Sequence, residues 1–512
     1  MRCICVVHKN GNVYYIVSYQ THEGLHAVLA NNKKAVGTIL LLTILASAAI
    51  PVSFGMQSSS SISTSGMISY LPHVDITVNA NNVIGVNNLS LGFQLDYEQY
   101  TWRDRPVMRQ LAADANFRLV RIHSIRIEPC TSWSESTKTG TFSWGEVDSL
   151  FQRIFEVGAE PLIDLGYASS SGLANLPAGM ATNASTGLPY PDSWAAYCKE
   201  WVKHFEQTGK PVRFYEIINE AWAYFGWADY TKIGYFKALF NAAAQAMREE
   251  NPNILLGFDA SNRRPILDYW LANGGADLDF ISFHKYDSGT IGHYTDEEMF
   301  VRAETHYIET DPSYYGIKDA QLVYRNARGK LIPVITSEFN FDSASATGTD
   351  PKIQQMVGAV WTALVLRAGI LEGLNYSIYY DFTSSKSWNS QKASGGWGFG
   401  MVNKDDNQPW YPYYVQLMTG SRLNVGDSIV ESVSSSDDVR VLSWVREGKL
   451  NILLVCRVDQ PQTVYLSGIS TLLNITKIDN AISYQTPSLQ TAVFNPADPL
   501  VLNGYTVMVL QS

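Results

Sequence analysis

Two glutamates stand where apolar runs end. One run reads Tyr215-Glu-Ile-Ile-Asn219-Glu220, the other Val334-Ile-Thr-Ser-Glu338-Phe-Asn340. A carboxylate at the end of a buried strand is costly unless it is paired or solvated. Two such groups on opposite sides of one cleft can cleave a glycosidic bond. One protonates the leaving oxygen; the other attacks the sugar or activates water. Neighbouring run ends suit the same cleft. Arg121 and His123 alternate with Ile122, and His284 and Tyr286 close Ile281-Ser-Phe-His284-Lys-Tyr286. A tyrosine hydroxyl or the Arg121 guanidinium beside Glu338 would keep it ionised and oriented. Taken singly, each of these residues has a plain structural alternative, a solvated acid or a satisfied core histidine.

Other chemistries lack their residues. No H-E-x-x-H occurs and the histidines are not spaced as ligands, so no metal is expected. No G-x-S-x-G and no C-x-x-C occur. Gly396-Trp-Gly-Phe-Gly400 follows no strand and opens no helix, which leaves it an aromatic loop. No cofactor is expected. The net charge of -10 repels a phosphate backbone, so nucleic acid is not a partner. Aromatics make up 12% of the chain, and such faces stack on pyranose rings. Trp133, Trp222, Trp227 and Trp388, all in strand-to-helix loops, are candidates to line a glycan cleft.

The elements that must carry these residues alternate. Apolar runs at 91–95, 118–127, 160–165, 213–218, 254–258, 278–284, 331–337 and 374–380 read as strands. Amphipathic stretches such as 194–206, 230–250 and 353–368 separate them. Eight near-continuous apolar strands with intervening helices predict a (β/α)8 barrel, whose chemistry sits at the carboxyl ends of the strands. From Asn424 the pattern changes to short β runs around a hairpin at Glu447-Gly-Lys449, which predicts an antiparallel β-sandwich. The alternation of Val74, Ile76 and Val78 suggests an early strand folded onto that domain.

The barrel resembles the clan A glycoside hydrolases, and most closely family 39, the β-xylosidase and α-L-iduronidase family. The likeness rests on Val120-Arg-Ile-His123, Glu216-Ile-Ile-Asn219-Glu220, Ile281-Ser-Phe-His284-Lys-Tyr286 and Ile335-Thr-Ser-Glu338-Phe-Asn340, in that order. It covers residues 85–423. It implies that Glu220 is the general acid/base and Glu338 the nucleophile of a retaining mechanism. It also implies that Asn219 contacts the sugar 2-hydroxyl and that His123, His284 and Tyr286 line the innermost subsite. Arg121, Trp222 and Trp388 complete the expected substrate-binding set. Two departures stand out. Ala221 and Trp222 follow the asparagine-glutamate pair where proline is usual, and the eighth strand lacks the usual tryptophan. Tyr379, Tyr380, Trp388 and Trp397 are the candidates to replace it.

The amino-terminal end carries a different signal. Lys33-Lys34, an apolar stretch at 35–50 and Ala46-Ser-Ala48 have the parts of a secretory signal. The alternative is a membrane anchor, since the apolar run extends toward Met56. The expected organisation is an amino-terminal extension with a signal peptide or anchor over 1–56, a serine-rich linker over 57–69 and an early strand over 70–84 that joins the sandwich. The barrel follows over 85–423 and the sandwich over 424–512. Four glycosylation sequons, at Asn88, Asn183, Asn375 and Asn474, fit export. The leading expectation is a secreted, retaining β-glycoside hydrolase of plant-type glycans, with an oligo- or polysaccharide as its partner and β-xylosides favoured. The rivals are an endo-β-glucanase of the same clan and a non-catalytic glycan-binding surface protein.

Overall fold

A computed structural model describes residues 2–9, 12–21, 24–31, 73–226, 228–305, 307, 312–343, 349–384, 398–481 and 487–512. The chain divides into two units, at 1–66 and 67–512. In the first, Arg2–Lys9, Asn12–Thr21 and Gly24–Asn31 form an antiparallel three-stranded sheet. The runs Cys3–Val7 and Tyr14–Val17 are rich in the β-branched and aromatic residues that favour strands. The lysine pair, the apolar stretch and the serine-rich linker lie outside the described residues. Among those described, no helix is long and apolar enough to cross a membrane.

The second unit is built on eight parallel strands. They are β1 (Ser90–Leu95), β2 (Leu119–His123), β3 (Glu160–Ser169), β4 (Phe214–Asn219), β5 (Leu255–Gly257), β6 (Ile281–Ser288), β7 (Val334–Asp342) and β8 (Tyr376–Tyr379). Their hydrogen-bonded order is β5-β4-β3-β2-β1-β8-β7-β6. The remaining seam, between β5 and β6, is held by individual bonds. Asp279 N donates to Leu256 O at 2.8 Å, and Ser282 N donates to Ser261 Oγ at 3.0 Å. The expected (β/α)8 barrel is present. β2 is shorter than its apolar run, because the chain turns into a 3-10 segment at Ser124–Arg126.

The helices begin where their caps dictate. Asp229 accepts from Thr231 N and Lys232 N to start Tyr230–Glu250, and Thr295 with Glu298 forms a capping box for Asp296–Glu304. Met356–Glu372 is apolar nearly all round and stops at Gly373, whose φ is 82°. It contacts both the barrel strand β7 and the sandwich strands behind it, which explains why it lacks a polar face.

The tail forms one nine-stranded sheet that includes His73–Val86, paired antiparallel with Ser428–Ser434 and parallel with Gln462–Ser467. Its strand Lys449–Cys456 is buried on both faces from Asn451 onward. Ile452 and Leu454 join a core with Val74, Ile76 and Val78, while the alternate residues Leu453 and Val455 belong to the barrel's own core. Glu447 and Gly448 both have positive φ, 52° and 77°, as the two-residue hairpin between Val439–Arg446 and Lys449–Cys456 requires. Cys130, Cys198 and Cys456 are buried and free.

Inside the barrel, Leu119, Leu162, Phe214, Phe280, Ile335 and Ile378 make an apolar floor. Gly92 serves this floor by absence, since a Cβ there would meet Leu119 O at 2.5 Å. One period of the strand above the floor the character inverts. Arg121, Asp164 and Glu216 stand two residues beyond Leu119, Leu162 and Phe214, and all three are fully buried.

Candidate active site

Two irregularities aim the glutamates. In β4, Ile217 pairs with Leu165 but Asn219 pairs with Tyr167, so Ile218 and Gly166 sit at a break in the ladder. Ile218 has φ 71° and Glu220 φ 50°, left-handed conformations that a β-branched residue adopts only under strain. In β7, Thr336 pairs with Phe283 and Glu338 with His284, which makes Ser337 an extra residue. Regular alternation from Ile335 would point Glu338 at the surrounding helices. The bulge turns it into the barrel instead, and Phe339 then packs outward with its ring centroid 5.9 Å from that of Trp361.

Arg121 is the centre of what lies beneath. Its Nε donates to Glu216 Oε2 at 2.7 Å and its Nη1 to Gln94 Oε1 at 2.8 Å. The same Nη1 donates to Glu338 Oε1 at 2.6 Å, and Nη2 donates to Asn219 Oδ1 at 2.6 Å. Gln94, its oxygen taken by Arg121, turns its amide nitrogen to His123 Nε2 at 2.6 Å. The histidine thus accepts through Nε2 and donates through Nδ1 to Asp164. Tyr286 donates its hydroxyl to Glu338 Oε2 at 2.7 Å, and Tyr167 donates to Glu220 Oε2 at 3.1 Å.

His284 stands between the glutamates. Its Nδ1 lies 3.6 Å from Glu220 Oε1 and 3.3 Å from Glu338 Oε2, and its Nε2 lies 4.0 Å from Asp259. Among the described residues neither ring nitrogen has a partner in hydrogen-bond geometry, so the ring acts on these acids by charge. Burial disfavours its proton, but Asp259, Glu338 and Glu220 outweigh burial and push its pKa up to about 9. Burial alone would raise both glutamates. His284 and Arg121 outweigh it at Glu338, and His284 with Tyr167 outweighs it at Glu220, so both carboxyls fall below their ordinary value. At Asp259 burial outweighs the charge of His284, 4.0 Å away, and carries the carboxyl up to about 6.

The fold thus gathers Asn219, Glu220, Arg121, His123, His284, Tyr286 and Glu338 at one end of the barrel. Arg121 differs from its expected place among the substrate contacts. Its side chain has no accessible surface, and it reaches Glu338 from below as a positioning residue. Trp222 lies in the short helix Trp222–Phe225, half-buried, with the Arg263 guanidinium 5.2 Å from its ring centroid. Trp133 is buried in the core beside Tyr197 and leaves the cleft, because its hairpin packs inward. Of the candidates for the missing tryptophan, Tyr379 packs on Phe339, away from the site. Tyr380 stays beside it, with its hydroxyl on Asp96 at 2.8 Å and its ring centroid 6.3 Å from that of Tyr286. Trp227, Trp388 and Trp397 lie outside the described residues.

Sequence reasoning assigned no role to Gln94, Asp164, Tyr167, Glu216 or Asp259. Three of them carried a signal: Phe93-Gln94-Leu95, Ile163-Asp164-Leu165 and Tyr215-Glu216-Ile217 each embed a polar group within a buried strand. Such groups need partners on the same interior level.

Sequence comparison agrees with this geometry. The sequence model of glycosyl hydrolases family 39 matches residues 76–390. The chain belongs to that family. A beta-xylosidase of Caldicellulosiruptor saccharolyticus is 25% identical over 207 residues. That alignment spans 36% of this chain and 39% of the relative. Among solved structures, a monomeric beta-xylosidase from Caulobacter crescentus superposes with a TM-score of 0.60 at 14% identity. It covers 86% of this chain and 99% of its own. An alpha-L-arabinofuranosidase from Thermotoga maritima gives 0.56 at 12% identity, covering 86% and 99%. At these identities the structural likeness speaks for the fold.

Proposed function

We propose that this family 39 chain hydrolyses β-xylosides with retention of configuration, Glu338 acting as nucleophile and Glu220 as acid/base. One observation carries the reading: a single nitrogen of His284 reaches both carboxylates. The two oxygens are therefore no farther apart than spans of 3.6 and 3.3 Å laid end to end. That limit includes the ~5–5.5 Å of a retaining pair and excludes all but the bottom of the ~6.5–9.5 Å inverting range. The roles follow from surroundings. Glu338 leaves 8% of its side chain exposed and is held by a guanidinium and a phenol, as an ionised nucleophile requires. Glu220 leaves 27% exposed and, among the described residues, is hydrogen-bonded by the Tyr167 phenol alone, so it exchanges protons more freely. The β-xyloside preference is supported by the beta-xylosidase relative.

Proton NMR of the first sugar released from a nitrophenyl β-xyloside tests this. The β anomer must appear first and the α anomer only by mutarotation. An α anomer released first overturns retention, and no release from any β-glycoside overturns the activity.

Export belongs to the same proposal. Lys33-Lys34, the apolar stretch and Ala46-Ser-Ala48 support a leader that is removed. Amino-terminal sequencing of the native protein from culture medium should begin beyond Ala48. Protein retained in membranes with Leu40 attached would make the segment an anchor.

A further inference from the structure

Beside the catalytic groups lies a cavity of about 280 Å³. Tyr286 connects the two, since its hydroxyl is on Glu338 and the residue also lines the cavity. The rest is supplied by the loop after β6 and the start of the loop after β7: Ser288, Thr290, His293, Tyr294, Arg302 and Ser343. The volume is just under the ~300–1,000 Å³ of pockets for drug-sized ligands, and suits one sugar ring.

Its chemistry is one-sided. Arg302, on the helix Asp296–Glu304, donates through Nε to Asp287 O at 2.7 Å and rests 4.4 Å from the Tyr294 ring centroid. Those contacts fix the guanidinium plane but use only one of its five N–H groups. Its terminal nitrogens make no hydrogen bond or ion pair among the described residues. Asp287 forms part of the wall but is 1% exposed, and its carboxylate is engaged by Trp361 Nε1 at 2.8 Å and by Lys285 at 3.6 Å. The Ser288 and Ser343 hydroxyls donate to backbone carbonyls and retain only acceptor capacity. Thr290 and His293 add donors at the rim. A fixed guanidinium with its fork open, an aromatic face and hydroxyls beside a glycosidase centre match a sugar that carries a carboxylate.

We infer that this cavity is a subsite for a uronic acid on the substrate chain, with Arg302 as the residue that reads its carboxylate. The inference rests on the proposed glycosidase activity, and its test separates the two. Calorimetry on the Glu338→Gln variant compares xylotetraose, the same chain bearing one glucuronic acid, and the methyl ester of that acid. The free acid should bind at least about tenfold more tightly than either neutral chain. Adding Arg302→Gln should reduce that advantage to about twofold or less. Equal binding of acid and ester, on a site unaltered at Arg302, overturns the inference whatever the double variant does. So does an advantage that survives the loss of Arg302. If wild-type protein cleaves none of the chains while the acid still binds tighter through Arg302, the activity fails and the subsite stands. If it cleaves all three and prefers none, the activity stands and the subsite fails.

Discussion

Arg121 Nη1 stands 2.6 Å from Glu338 Oε1, and neither side chain leaves more than 8% of its surface to solvent. The guanidinium also holds Gln94, Asn219 and Glu216, so one buried cation fixes residues from β1, β4 and β7. Arg121→Met would take from Glu216 its directly bonded cation and leave Glu338 with the His284 charge but no guanidinium. Breaking a buried pair in this way costs ~3–5 kcal/mol, and the melting temperature should fall accordingly. The value of kcat/KM on a nitrophenyl β-xyloside should fall at least about a hundredfold, since ~2.7 kcal/mol of lost transition-state stabilisation suffices. Arg121→Lys should recover only part, because a single ammonium cannot reach four acceptors in one plane. Near-normal melting and turnover in Arg121→Met would show that the network is dispensable.

His284 makes the site depend on pH in a predictable direction. Its folded pKa is about 9, raised above the ordinary value of 6.5. Its contribution to stability is therefore fully present below about pH 6.5 and is lost as pH rises through about 9. Glu338 and Glu220 act with the opposite sign. Their folded values are lowered, so their contribution is present above the ordinary carboxyl range and lost as pH falls through the folded values. The gap in melting temperature between wild type and His284→Asn should be wide at about pH 6 and close toward about pH 10. Without the imidazolium both carboxyls rise, so the acidic limb of kcat/KM should move to higher pH. A constant gap across that range would mean that His284 is neutral between the acids.

The barrel was legible in the sequence because its strands are apolar on both faces and its helices on one. Glu220, Glu338, His284 and Tyr286 were legible because they end those strands. What stayed hidden depends on register. Ser337 is one residue of a bulge, and no local pattern distinguishes it from Thr336, yet it decides which way Glu338 points. The break at Ile218 is equally silent in composition, although it orients Asn219 toward Arg121. Arg121 read as a substrate contact because the sequence gives a residue's strand but not its depth. Depth follows only from counting up from Leu119 in the apolar floor. Trp133 misled for the opposite reason: a loop position suggested exposure, and the hairpin Cys130–Ser134 with Thr139–Phe142 turned the ring inward.

The strand His73–Val86 should be indispensable to folding, though it precedes the barrel by only a few residues. It lies between Ser428–Ser434 and Gln462–Ser467 and contributes Val74, Ile76 and Val78, none more than 2% exposed. Burying each such side chain is worth ~1.5–3 kcal/mol, so the three together rival the ~5–15 kcal/mol of a whole domain. A chain beginning at Asn87 should aggregate or bind hydrophobic dyes, even though it retains every catalytic candidate. A soluble, fully active truncation would show that the sheet closes without this strand.

The two glutamates should respond differently to replacement. Glu338→Gln removes the nucleophile, and turnover of every glycoside should vanish, because no glycosyl-enzyme can form. Glu220→Ala should spare the first step for a dinitrophenyl xyloside, whose leaving group needs little protonation. The second step should then be slow, since nothing activates water, and the glycosyl-enzyme should accumulate as a burst. Azide needs no base. It should restore steady turnover of Glu220→Ala and yield the β-xylosyl azide, with attack entering the face that the missing carboxylate leaves open. The structure bears on this asymmetry: Tyr286 and Arg121 both grip Glu338, whereas among the described residues Tyr167 alone hydrogen-bonds Glu220. Rescue of Glu338→Ala by azide with the β anomer as product, and of Glu220→Ala with the α anomer, would reverse the roles. If each single variant keeps more than about a tenth of wild-type kcat/KM, less than ~1.4 kcal/mol of transition-state stabilisation has been lost. The reacting carboxylates would then be others at the barrel mouth, with Asp259 the first to replace.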